Sequence, residues 1–508
     1  MHKHVDGWRW LAWGLFACTF LKIAAVVFAS PMVGYANNYD FVRSSECTGV
    51  WSSLNGAVAV PHHREPRSEL LYNGHTDAQG CMVSADNLFS WFARLPHAVG
   101  DTFDIRAVAG WKLAALIAGV ALLAGVVRQS AVLLACAVVF ALVFGDMSVM
   151  PYFNSLYTEF SVVGGLFFAM TACAWLCAVP QWPGLGRVAL LLGLGVAWLG
   201  FGKQQYSFFA SALLVYAGLV LVARWRRWRL AGGLVVLALA IPLTFAALNP
   251  AERIVMQSIA KANKFNTFFW AVLPAANDKD AALATLRLPA SCRNAIGLSW
   301  FTPGLEDHKP CPEIVQTSRR HLLALFAQDV DTFLVPMRNA VFSARPLYPS
   351  LLALFERPDD AQARKYLLMN RSSFSRWVEP LSDSVFGGAA LLLMGLGVVM
   401  VPGSLLLCLR RHAGKRAGPA AEPSRDLSCL RLVAALLGLG GMAIVYAFAS
   451  SVFGDGYADF PKHAIGALVG AAFSLAGLVL GAAALVSRGV TALRPSPAPP
   501  AARAVPCR

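Results

Sequence analysis

Four short polar stretches interrupt an otherwise apolar chain, and their residue types could do acid–base and anion-binding chemistry. The stretch 37-NNYDFVR-43 sets Asp40 three residues before Arg43. The stretch 145-GDMSVMPYFNSLYTEF-160 places Asp146 and Glu159 around Asn154 and Tyr157. Lys203 and Gln204 lie in 202-GKQQYS-207, and 454-GDGYADFPKHAIG-466 carries Asp455, Asp459, Lys462 and His463. A carboxylate can take the proton of an attacking hydroxyl, while ammonium and imidazolium groups can hold a departing phosphate. Each stretch also has a plainer reading. Asp40 and Arg43 could pair at an interface, Glu159 could complement a helix dipole, Lys203 could snorkel to headgroups, and Asp-Gly is turn chemistry. The chemical reading requires separate connections to bring these groups to one place.

The elements that would position them are membrane helices. The chain is 57% hydrophobic and only 14% charged, against about a quarter charged for a soluble globule. Apolar runs cover roughly 9–30, 108–127, 129–148, 161–180, 186–201, 207–223, 229–248, 385–409, 428–451 and 464–487. This is the pattern of an all-α polytopic membrane protein with about ten transmembrane helices. The first run is read as an uncleaved helix rather than a signal peptide.

The net charge of +15 is an orientation signal, not a nucleic-acid footprint. Arg9, Arg128, Arg187, the clusters around Arg226 and Arg411, and the basic C-terminal tail fall on one side, which the positive-inside rule makes the cytoplasm. Both termini are then cytoplasmic, and the four polar stretches face outward. The chain divides into a first helix (1–30), an extracytoplasmic loop (31–107), helices two to seven (108–248), a mostly helical extracytoplasmic cap (249–384), helices eight to ten (385–487) and a Pro/Ala-rich, disordered tail (488–508). The cap contains no glycine-rich phosphate loop, nucleophile elbow or metal-spaced ligand set.

Of 11 cysteines, Cys47 and Cys81 fall in the first external segment, and Cys292 and Cys311 in the second. Two per segment suits local disulfides in an oxidising compartment such as a bacterial periplasm; the alternative is four unrelated thiols. Cys173 and Cys177 are one turn apart without a third ligand, which argues against zinc.

With an acidic motif soon after the first helix (NNYDFVR), a second in a later reversal (YFNSLYTEF) and cations further on, the chain resembles the GT-C superfamily of integral-membrane glycosyltransferases. The stretch 262-ANKFNTFFWAVLP-274 is similar to bacterial membrane proteins of glycan biosynthesis. The resemblance implies transfer of a sugar from a polyprenyl-phosphate donor to a cell-envelope glycan or lipid-linked acceptor, at the extracytoplasmic face of the bacterial inner membrane. It implies Asp40 as general base or acceptor-orienting carboxylate, and Glu159 as second acid with Asp146 as its competitor. Arg43, Lys203, Lys462 and His463 become donor-phosphate contacts. Asn154, Tyr157, Gln204, Asp455 and Asp459 complete the substrate-binding set. It also implies inversion at the anomeric centre without an enzyme nucleophile. Asp40 stands without the adjacent second acid of many members, so no metal or other cofactor is assigned and a divalent metal is not excluded.

Two other readings compete. An O-antigen polymerase or ligase would depend on external arginines and a histidine, for which Arg319, Arg320 and His321 are available. A transporter or flippase of lipid-linked intermediates would place polar groups near span midpoints and show internal repeats.

Overall fold

The computed structural model describes residues 2–36, 39–52, 66–77, 80–249, 261–305, 310–349, 352, 354–355, 370–410 and 425–492. Helix α1 (His2–Val27) leads into a first loop segment with α2 (Tyr39–Thr48), β1 (Val50–Ser52), β2 (Glu69–Tyr72), α3 (Asn87–Arg94) and β3 (Thr102–Asp104). Six apolar helices follow: α4 (Arg106–Val126), α5 (Ser130–Phe144), α6 (Glu159–Ala178), α7 (Leu185–Gly200), α8 (Gln204–Trp225) and α9 (Trp228–Leu248). The second loop segment contains a π-helical stretch, Asn266–Val272, then α10 (Lys279–Thr285), α11 (Arg320–Gln328), α12 (Asp331–Ser343) and α13 (Phe374–Val378). Helices α14 (Asp383–Leu409), α15 (Arg425–Asp455), α16 (Phe460–His463) and α17 (Ile465–Ala492) finish the fold. The tail beyond Ala492 lies outside the described residues.

The protein is a polytopic helical membrane protein. Among the described residues, eight helices (α1, α4, α6, α8, α9, α14, α15 and α17) are long and apolar enough to cross a membrane, and α5 and α7 are shorter apolar helices. All ten runs read from the sequence are therefore helical. The short pair matters for the site. At 15 and 16 residues, α5 and α7 reach only about 23 Å, against about 30 Å for a hydrocarbon core. The connections after them, 145–158 and 201–203, therefore sit recessed relative to the ends of their longer neighbours. Helix α6, which starts in that recess, is buried along its whole spanning window.

Small residues let the helices approach, as they must where no hydrophobic force drives helices together within lipid. A Cβ built on Gly195 of α7 would lie 2.2 Å from the Ala169 nitrogen of α6, and one on Gly165 would lie 2.4 Å from the Leu199 nitrogen. Gly441 of α15 meets Gly397 of α14 in the same way, and Gly440 meets Gly470 of α17.

The first loop segment departs from the all-α expectation. Strands β1, β2 and β3 form an antiparallel sheet in that order, with Trp51 opposite Leu71 and Leu70 opposite Phe103. Three or four residues per strand give no alternation long enough to stand out from the sequence. Cys47–Cys81 and Cys292–Cys311 are disulfides, one in each of the two large loop segments, as the local pairing anticipated.

Contacts between distant connections gather them at one end of the bundle. Ala85 N donates to Phe201 O (2.8 Å), Val83 N to Asn249 Oδ1 (2.6 Å) and Met147 N to Ser373 Oγ (3.0 Å). Gly34 N donates to Leu354 O (2.9 Å).

Two glycines on α7 separate packing from propensity. Gly193 has nothing within 4 Å of a built Cβ, whereas Gly195 is pressed against α6. Gly193→Ala is expected to be neutral or stabilising by up to about 1 kcal/mol, from helix propensity, while Gly195→Ala lowers the melting temperature in detergent. Equal melting of the two variants would contradict this packing.

Candidate functional site

The recessed reversal between α5 and α6 is organised by a buried ion pair from elsewhere in the chain. Lys112, in the second turn of α4, donates from Nζ to Tyr152 O and Ser155 O, each at 2.8 Å. Its ammonium is 3.6 Å from Asp86 Oδ1 and packs over the Phe160 ring. Asp86 Oδ2 in turn accepts from Ser161 N (2.9 Å), satisfying one of the free amides in the first turn of α6. Burial pushes the Asp86 carboxyl above its ordinary range, against the pull of Lys112 and the Ser161 amide. Two otherwise costly buried charges thus fix both the loop carbonyls and the start of α6.

Glu159 is the first residue of α6, where the N-terminal dipole favours a carboxylate. Its Oε1 accepts from Lys203 Nζ at 2.7 Å. Lys203 stands in extended conformation just before α8, and its Nζ is also 3.0 Å from His463 Nδ1. An ammonium can only donate, so Nδ1 is the acceptor and the imidazole proton is assigned to Nε2. Nε2 points toward Asp455 Oδ2, at 3.6 Å, at the end of α15. Asp455 Oδ1 accepts from Asn266 Nδ2 (3.2 Å), and Asn266 Oδ1 accepts from Trp300 N (2.7 Å). The result is a chain of alternating groups, Glu159–Lys203–His463–Asp455–Asn266, built from five separate segments.

The chain is buried at both ends and partly accessible between them. The Glu159 side chain is 2% accessible and Asn266 is fully buried, while Lys203, His463 and Asp455 reach 15%, 17% and 19%. Arg319, from the turn before α11, lies beside the accessible stretch at Asp455. Its Nη2 donates to Gly454 O (2.6 Å), and Asp455 is close enough to act on its charge.

A second pair lies beside the first. Lys462 Nζ contacts Asp459 Oδ2 at 3.1 Å and lies over the Tyr157 ring. The buried Tyr152 phenol is within electrostatic reach of both Glu159 and Asp459.

The structure thus brings together Glu159, Lys203, His463 and Asp455, with Lys462 and Asp459 adjoining. Other residues singled out from the sequence have different surroundings. Asp146 accepts from Ser148 N and Oγ and from Ser375 N and Oγ, so it is a knot between the reversal and α13 rather than a partner for Glu159. Asn154 Nδ2 donates to Val27 O and Val33 O, pinning the exit of α1, and the Tyr157 hydroxyl donates to Ala36 O. Gln204 is exposed; one residue on, Gln205 Nε2 reaches Ser450 Oγ (2.8 Å) and His463 O (3.4 Å), and the Tyr206 hydroxyl also donates to His463 O (3.1 Å). Arg43 lies 3.9 Å from the Met82 sulfur, close enough to Glu46 to act on its charge. Asp40 is in the first turn of α2, and its side chain lies outside the described residues.

Asp86, Lys112, Gln205, Tyr206 and Asn266 were not singled out from the sequence. Lys112 was detectable, because an ammonium inside an apolar run needs a partner. Asn266 sits in a π-helical stretch, a distortion frequent at functional sites but invisible to helical periodicity. Among the described residues, the one group of three potential metal ligands is Cys292, Cys311 and Glu313, and its two sulfurs are joined as a disulfide.

These features define a multi-pass helical membrane protein with a charged cluster where its connections converge at one end of the bundle. The chain belongs to the family of the YfdI N-terminal transmembrane domain, which matches residues 11–302. No curated protein and no solved structure matches it. The matched region includes Asp86, Lys112, Glu159, Lys203 and Asn266, whereas Arg319, Asp455 and His463 lie beyond it.

Removing Lys203 would leave the buried Glu159 carboxylate without its cation. Lys203→Met is expected to lower unfolding stability by about 3 kcal/mol, and Lys203→Met with Glu159→Leu should recover much of the loss, because both charges are then gone. Thermal unfolding in detergent measures both; a double variant no more stable than the single one would refute the pairing.

Proposed function

We propose that this protein is a membrane glycosyltransferase that moves a sugar from a polyprenyl-phosphate donor to a cell-envelope glycan or lipid-linked acceptor. The observation that carries the reading is the single chain of acids and bases, Glu159–Lys203–His463–Asp455. Transfer of this kind needs a base for the acceptor hydroxyl and cations for the departing phosphate, with the reacting groups at the level where a lipid-linked substrate lies. Glu159 is the base in this scheme, and Asp40 on α2 is the second candidate for that role. Lys203, His463 and Lys462 receive the phosphate. The donor phosphate replaces Glu159 as the partner of Lys203, freeing the carboxylate to take the hydroxyl proton. The hydroxyl oxygen attacks the anomeric carbon, the bond to the phosphate oxygen breaks, and the configuration inverts. No cofactor is needed for this scheme.

The site end of the bundle is extracytoplasmic in this reading, with both termini cytoplasmic in a bacterial plasma membrane. The orientation rests on the basic connections at the opposite ends of the helices. A second reading, polymerase or ligase action on lipid-linked oligosaccharide, draws support from Arg319 beside the partly accessible Asp455. A flippase of lipid-linked intermediates is less well supported, because the cluster lies at one end of the helices.

Purified protein in liposomes, supplied with polyprenyl-phosphate sugars and an acceptor glycan, tests the proposal. Glu159→Gln is expected to reduce transfer by about 100-fold or more, with Asp40→Asn and Lys203→Gln also impaired. Undiminished transfer by both acid variants would overturn the assignment. Chain extension of diphosphate-linked oligosaccharides without a monophosphate donor would favour the second reading.

A further inference from the structure

Helix α3 has apolar residues on two faces. The inner face, with Asn87, Phe89, Ser90 and Ala93, is buried in the protein. Phe89 packs edge-on against Phe160 of α6, with ring centroids 5.6 Å apart, and lies 6.2 Å from Trp198 of α7. Asn87 accepts from Ser44 Oγ (2.7 Å) and donates to Met82 O (2.8 Å). Arg94 donates to Thr48 O and lies over the Tyr72 ring. The outer face carries Leu88, Trp91, Phe92 and Leu95 at helical spacing, between 37% and 57% exposed.

Three large apolar groups on one face of an eight-residue helix, continued by Leu95 at its C-cap, require an apolar neighbour, and the membrane surface of α4 supplies the continuity. Phe92 lies against Trp111 of α4, with centroids 5.1 Å apart and planes tilted by 32°. Trp111 heads a stripe on α4 with Ala114, Ile117, Ala118 and Ala121, all exposed and all on one helical face. The stripe belongs to a membrane-length apolar helix, so it faces acyl chains. Trp111 is five residues into α4, about 7 Å below its polar start at Arg106. Arg106 itself is ion-paired with Asp104. In-plane amphipathic helices bury their apolar faces about 5–10 Å into the boundary between headgroups and acyl chains.

We propose that α3 is an in-plane interfacial helix, with Leu88, Trp91, Phe92 and Leu95 immersed in the bilayer leaflet at the end of the bundle that carries Glu159. Its partner is phospholipid at the headgroup–acyl boundary. The two tryptophans and Phe92 form one aromatic belt shared by the loop segment and the first span after it. Because the inner face of α3 holds α2 through Asn87 and the start of α6 through Phe89, lipid contact on one side sets the height of both acid-bearing helices on the other. The inference does not depend on the reaction proposed above.

Photo-crosslinking tests it on the full-length protein in phosphatidylethanolamine/phosphatidylglycerol liposomes. p-Benzoylphenylalanine replaces Leu88 or Leu95, with Ile117 as the lipid-facing reference and the exposed loop residue Thr76 as the aqueous one. All four positions are exposed, and elution in size-exclusion chromatography identical to wild type establishes that each variant is folded. Phospholipid adducts, read by intact mass, are expected at positions 88 and 95 in yields like those at 117 and several-fold above those at 76. Yields at the level of Thr76, crosslinked dimers reporting a second copy, or crosslinks to another segment of the same chain would each overturn the proposal. Either substituted position suffices if the other prevents folding.

Discussion

The arrangement of the charged end depends on one ammonium in an apolar helix. Lys112 is fully buried on α4, where a lone charge would cost several kcal/mol. It is tolerated because it meets two loop carbonyls and a carboxylate at once. Those same contacts hold the reversal between α5 and α6 in its recessed shape, and the carboxylate completes the first turn of α6. Glu159 is therefore presented by a helix end that another part of the chain has capped. The Asp86–Lys112 pair fixes the positions of the reversal and of the start of α6, and buried ion pairs in general bring a modest or negative balance of net stability.

Much of the fold was legible because the bilayer imposes a simple constraint: the spanning backbone must satisfy itself, so long apolar runs become helices. Glu159, Lys203, Asp455 and His463 could be picked out because charges are sparse and stand at the edges of such runs. Other features were hidden for identifiable reasons. Gln204 and Gln205 are alike as residue types, but one residue turns a helix by about 100°, and it is Gln205 that faces Ser450 and His463. Asp146 looked like Glu159's competitor because spacing alone cannot reveal that four donors from Ser148 and Ser375 already surround it. The strands of the first loop were too short to show a period. Asp86 had no local signal at all; its importance lies in a contact with Ser161, 75 positions away.

The cluster also shows how a loosely connected protein obtains a joined polar site. Its members come from the start of α6, the start of α8, the end of α15, the turn before α17 and a π-helical stretch of the second loop segment. Helix ends leave backbone groups unsatisfied, so their convergence gives side chains such as Gln205 and Tyr206 many anchoring points. Both bind the His463 carbonyl, fixing the backbone that presents the imidazole.

Helix α6 is enclosed on every side, whereas the spanning windows of α9 and α14 are only 22% buried and each contains an internal proline, Pro242 and Pro402. A bilayer thicker or thinner than the protein's apolar girth is accommodated by tilting or bending lipid-facing helices, and proline marks where a helix bends most readily. Peripheral α9 and α14 are the parts built to comply, while α6 has no surface on which lipid can pull. Changes in membrane thickness thus act first on the rim of the bundle and reach the start of α6 only through the elements packed around it.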